Sequence, residues 1–134
     1  EQMPVDASPA RNVADPRVKA AFAMAPGVIQ QFGMDAESIA HMRIPVFIVV
    51  GAGDTVTPPA ENAVFAADHI KNVDLLILKG PVGHEIFVNQ CSADGKLELP
   101  DTCVDAPGVD RAALHADIGA LAVRFFDDRL GVAR

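Results

Sequence analysis

Apolar positions in this chain come in short runs separated by turn-forming clusters. Val46, Phe47, Ile48, Val49 and Val50 stand in a row between Pro45 and Gly51. An unbroken, β-branched-rich run of that length predicts a parallel strand covered on both faces. Residues 73–78 alternate little and are largely aliphatic, predicting another strand, after which Gly80, Pro81 and Gly83 force a turn. Between the two runs, Ala60, Ala63, Val64 and Ala67 recur at helical spacing, and Pro58 and Pro59 suit a first turn, so a helix is expected over 59–70.

The flanking segments complete the pattern. Residues 1–16 carry three prolines and no periodicity, an irregular lead-in. Residues 17–25 form a short apolar run stopped by Pro26 and Gly27, which predicts a buried strand ending at a loop through Gln30, Gln31, Phe32 and Gly33. Acidic Asp35 and Glu37 favour one or two helical turns over 35–40. A polar loop is expected over 89–108. Asp110 then caps a helix whose Leu114, Ile118, Leu121 and Phe125 form one stripe. Strand, helix, strand in this order implies a right-handed parallel crossover, and the expected class is α/β, a doubly wound parallel sheet of three strands plus flanking helices.

Composition narrows the functional classes. With 134 residues, half of them apolar, the chain is expected to be one domain or part of one. A net charge of -7 and no basic stripe argue against a nucleic-acid partner and leave small neutral or cationic substrates open. No run approaches the roughly twenty apolar residues of a membrane-spanning helix, and Glu1, Gln2, Met3 and Pro4 do not open a signal peptide. A start at Glu1 suggests processing or trimming, with the original start and any export signal outside this sequence. Cys91 and Cys103, twelve apart in the polar loop, suit a local disulfide better than buried thiols or a zinc site, which points to a periplasmic or secreted location.

The candidate chemistry sits at the ends of the two aliphatic strands. Gly51, Ala52, Gly53 and Asp54 close the first run, and Gly83 and His84 follow the second, thirty positions after the aspartate. A carboxylate just past a parallel strand and a loop histidine after the next strand are two thirds of a catalytic triad. Asp54 alone also reads as an ordinary turn or cap residue, and His84 alone as a surface histidine; their order and interval favour the paired reading. In that reading Asp54 fixes the imidazole tautomer and His84 accepts a hydroxyl proton. Glu85 adjoins the base but should point away from it into solvent. His41 and His69 fall at helix ends, where capping is expected, and His115 on the last helix reads as structural. Phe32, Met34 and Phe87 are expected on a common rim and are not assigned to the site.

The nucleophile is missing from the pattern. The serines are Ser8, Ser38 and Ser92, and neither they nor the cysteines are flanked by the two glycines of a nucleophile elbow. Both cysteines also follow the histidine, which argues against lactone cleavage by a cysteine nucleophile.

Met24 to Gly27, the stretch from Ser38 and Ile39 to Ile44 and Pro45, Gly51 to Asp54, and Gly83 with His84 resemble the C-terminal half of α/β-hydrolases. More narrowly, Gly83 to Phe87, the cysteine-bracketed loop and Val109 to His115 look like bacterial dienelactone hydrolase-like esterases related to platelet-activating-factor acetylhydrolase. The resemblance extends over about residues 17–130. It implies a single partial hydrolase domain over 1–134, Asp54 as triad acid, His84 as base, an ester substrate and no cofactor or metal. The serine and the oxyanion loop belong to the half that is not represented here. A partner is therefore expected: an N-terminal nucleophile-bearing segment or chain, or a second copy pairing exposed sheet edges. The competing expectation is a non-catalytic fragment or binding module on the same scaffold.

Overall fold

The structure is a computed structural model and describes residues 15–27 and 35–131. Its centre is a three-stranded parallel sheet in the order β1 (Ala21–Met24), β2 (Val46–Gly51), β3 (Val73–Leu78). Both strand pairings are parallel, with Ala21 opposite Val46 and Val46 opposite Val73. Helices flank the sheet, so the class is mixed α/β, as the alternation of elements implies.

The run in β2 is apolar throughout because each face meets a different layer. Val46, Ile48 and Val50 pack with Ile39, Ala63, Ala66 and Ile70, from α1 (Ala36–Ala40) and the helical segment that follows β2. That segment opens as a π-helical turn (Ala60–Val64) and continues as α2 (Phe65–His69). The sequence predicts one regular helix over 59–70; instead the Val64 N–H reaches back to Pro59 O at 2.8 Å, widening the first turn.

On the opposite face Val49 joins Leu78, Val82, Ile86 and Ile118, the last from α5 (Arg111–Leu130). Phe22 and Phe47 stack with ring centroids 5.0 Å apart, and Phe125 meets Phe47 edge-on at 5.7 Å, seating α5 on the sheet. Asp110 caps α5 by accepting the Ala113 N–H at 3.0 Å. Ile118 and Phe125 of the expected stripe are buried, while Leu114 and Leu121 are half-buried.

β3 forms as expected and stands at the edge of the sheet, with Leu75 and Ile77 more than one-third exposed. Two expectations are corrected. The first strand is confined to Ala21–Met24, preceded by a turn in which Asp15 engages the Arg17 backbone N–H and guanidinium, and at the edge of the sheet it is only partly buried. The polar loop over 89–108 holds two short helices, α3 (Ala93–Glu98) and α4 (Pro100–Cys103). Ser92 caps α3 through the Gly95 N–H, and Pro100 opens α4. The Cys91–Cys103 disulfide ties the two together.

Candidate functional site

The two strands that carry the site end level with one another. Gly51, the last residue of β2, pairs with Leu78, the last residue of β3, so the turns that follow leave from the same edge of the sheet. Their approach requires a glycine: a Cβ at Gly51 would collide with the carbonyl oxygen of Val82. In its absence the Gly53 N–H bonds to Val82 O at 2.9 Å. That contact draws the segment leading to His84 against the turn that presents Asp54.

Asp54 is buried, with its side chain wholly inaccessible. One carboxylate oxygen organises its own turn: Oδ1 accepts the backbone N–H groups of Val56 at 3.0 Å and Thr57 at 2.8 Å. The other faces the histidine: Oδ2 accepts the Thr57 hydroxyl at 3.0 Å and lies 2.8 Å from His84 Nδ1. Asp54 thus holds its own turn through one oxygen and contacts His84 through the other.

Burial pushes the Asp54 carboxyl up, but the Thr57 N–H, His84 and the Thr57 hydroxyl together outweigh it and hold the group below the ordinary carboxylate range. An ionised carboxylate can only accept, so Nδ1 of His84 carries the hydrogen and Nε2 is left with its lone pair in the neutral ring. His84 opens a 3₁₀ turn (His84–Phe87) and keeps 29% of its side chain exposed. Among the described residues Nε2 has no hydrogen-bond partner, and the ring borders a cavity of about 310 Å³ shared with Thr55, Val56, Thr102 and Val104. A larger hollow of about 510 Å³, between the disulfide and the start of α5, contains neither Asp54 nor His84.

The histidine turn is held from behind by α5. His115 Nε2 lies 2.6 Å from Ile86 O, a structural contact of the kind expected of that residue. Arg111 is buried and donates to Val88 O and Asn89 O at 3.3 Å and to Thr102 O at 2.8 Å. Its Nε and Nη2 engage the Asp105 carboxylate, the latter at 2.8 Å. One side chain thus joins the end of the histidine turn, the disulfide-bridged segment and the last helix.

Sequence reasoning reaches Asp54 and His84, and the structure brings them together. Glu85, expected in solvent, is instead half-buried within the 3₁₀ turn, and among the described residues the hydrogen bonds of the His84 ring go to Asp54 and Thr57. His41 and His69 place Nδ1 2.7 Å from Glu37 O and Phe65 O, each one turn back on its helix. Phe87 lines a separate apolar cavity with Phe22, Ile118 and Phe126, not the one beside His84; Phe32 and Met34 lie outside the described residues. Thr57 and Arg111 also belong to the site and carry no catalytic motif in the sequence. The Asp54-to-Thr57 spacing is a turn signature that could have flagged the former. No signal marks the latter, since an arginine opening a helix reads as solvated and opposes the helix dipole.

Among the described residues no group of three or more His, Cys, Asp or Glu is placed to hold a metal, and no helix is long and apolar enough to cross a membrane. No family model matches the sequence, and no curated protein is significantly similar to it. The functional reading therefore rests on the chain's own residues.

Proposed function

We propose that this chain carries the acid and the base of a serine ester hydrolase of the α/β-hydrolase class, acting on small or lipid-like esters once a nucleophile-bearing segment or chain completes the site. The observation that carries the reading is the 2.8 Å contact between His84 Nδ1 and a buried, ionised Asp54 at one edge of a parallel sheet. The narrower likeness, to dienelactone hydrolase-like esterases related to platelet-activating-factor acetylhydrolase, rests on the sequence motifs given above.

In this mechanism the serine Oγ attacks the ester carbonyl while His84 Nε2 takes the hydroxyl proton. The imidazolium forms against Asp54, which stays ionised. Collapse of the tetrahedral intermediate breaks the carbon–oxygen bond, and Nε2 returns the proton to the leaving alcohol. Water then repeats the sequence on the acyl-enzyme, releasing the acid and restoring the serine. Asp54 contributes orientation and charge compensation, and backbone N–H groups of the completing segment hold the oxyanion. A disulfide in the segment beside the site suits an oxidising compartment, so the same reading places the protein in the periplasm or outside the cell.

The alternative is a non-catalytic module on the same scaffold, favoured by the lack of any elbow serine in the sequence. Hydrolysis of short-chain aryl esters by the completed protein decides between them. Turnover that disappears in His84→Ala supports the hydrolase; a folded, completed protein without turnover, or with turnover indifferent to His84, removes it.

A further inference from the structure

Three groups close a triangle at the site: Thr57 Oγ1 lies 3.0 Å from Asp54 Oδ2 and 3.1 Å from His84 Nδ1, and Nδ1 lies 2.8 Å from Oδ2. We propose that Thr57 is a positioning residue for the acid–base pair, its hydroxyl donating to Asp54 Oδ2 while sharing the Nδ1–H of His84. Hydrogen bookkeeping supports this arrangement. The hydroxyl owns one proton, and an ionised carboxylate has none to give. With Nδ1–H aimed at Oδ2, the Thr57 proton goes to Oδ2 and a hydroxyl lone pair faces Nδ1–H, making a three-centre bond. Oδ2 then has two donors, as Oδ1 does from Val56 and Thr57.

The rest of the side chain is fixed to serve this. Thr57 is only 4% exposed, and its backbone N–H is held by Oδ1 at 2.8 Å. Its methyl group packs under Gly27, where a Cβ would come within 3.0 Å of Cγ2. With the methyl and N–H pinned, the hydroxyl has one direction left, into the pair. A ring turned over about Cβ–Cγ would set a carbon against both oxygens and forfeit both contacts. Thr57 thus restrains the ring rotation that decides where Nε2 points.

The inference takes its functional meaning from the hydrolase reading, but its test does not need activity. In the ¹H spectrum of the full chain, the His84 Nδ1–H should appear at low field, with a protected Thr57 hydroxyl proton showing a cross-peak to it. Thr57→Val keeps the shape and removes the hydroxyl. The Nδ1–H resonance should then move further downfield as the bond becomes two-centred, and Thr57→Ser should restore its position. A His84 resonance unmoved in Thr57→Val, or not restored in Thr57→Ser, would overturn the proposal. If Thr57→Val does not fold, the wild-type spectrum decides: a protected hydroxyl with the cross-peak supports the proposal, and its absence sinks it. An intact signature in a completed protein without esterase activity would count against the hydrolase reading alone.

Discussion

His84 donates its Nδ1–H to Oδ2 of Asp54 across 2.8 Å, although thirty residues and a complete helix–strand crossover separate them in the chain. The contact follows from two local facts: β2 and β3 end in register, and Gly51 admits the Val82 backbone that leads to His84. The other ring nitrogen has no hydrogen-bond partner among the described residues, and His84 lines a cavity.

If this pair is the acid and base of a triad, its members are not equivalent. His84→Ala in the completed protein is expected to abolish turnover, since no other group takes the proton. Asp54→Asn should lower kcat by several orders of magnitude, because the amide no longer enforces the Nδ1–H tautomer. Steady-state ester hydrolysis by the two variants, with circular dichroism to confirm folding, checks both.

Acid sensitivity should trace to Asp54. Its folded pKa lies below its unfolded value near 3.8, so it contributes stability that is fully present above that value and is lost as pH falls through the folded pKa. Denaturant unfolding at a series of pH values from 7 downward should show stability declining below about pH 4 in the wild type. Asp54→Asn should be less stable at neutral pH and show a shallower acid limb. An unchanged acid limb would mean that other carboxylates govern it. Asp15 and Asp35 are also held low, by Arg17 and by the Ser38 N–H, but Asp35 is exposed and Asp15 pairs with an exposed arginine, so both should add little.

The disulfide closes a loop of twelve residues' separation, for which chain entropy gives about 3 kcal/mol. Reduction, or a Cys91→Ser and Cys103→Ser double replacement, is expected to lower stability by about that amount. Because Arg111 also holds this segment, at Thr102 O and Asp105, the sheet itself should persist. Denaturant midpoints with and without reductant measure the loss.

Arg111→Met should be more disruptive. It strands the Asp105 carboxylate, 22% exposed, and three buried or half-buried contacts at once, a loss of about 3 kcal/mol or more. Arg111→Lys cannot reproduce the fork and should recover little. Hydrogen exchange should accelerate over the His84 turn in both variants; exchange confined to the 91–105 segment would contradict the role assigned to Arg111 at Val88 and Asn89.

β2 was legible because burial on both faces leaves no polar position to blur a run of five apolar residues. β3 was legible as a strand but not as an edge, since its aliphatic residues resemble those of a central one. The helices inside 89–108 were not legible: each is shorter than two turns, and their order comes from Ser92, Pro100, the disulfide and Arg111. Asp54 and His84 were legible from residue type and interval. Thr57 was not, because its role arises when the turn sets its hydroxyl against both Asp54 and the His84 ring, 27 residues further on.

The most direct test of the central claim is denaturing intact-mass analysis of the protein isolated from its source after exposure to a fluorophosphonate, with every polypeptide recorded. The account predicts a serine adduct on a co-purifying polypeptide, or on a longer form of this chain, that is lost when His84 is replaced by Ala. A single unlabelled species of this chain's mass, or labelling unaffected by the His84 replacement, would contradict it.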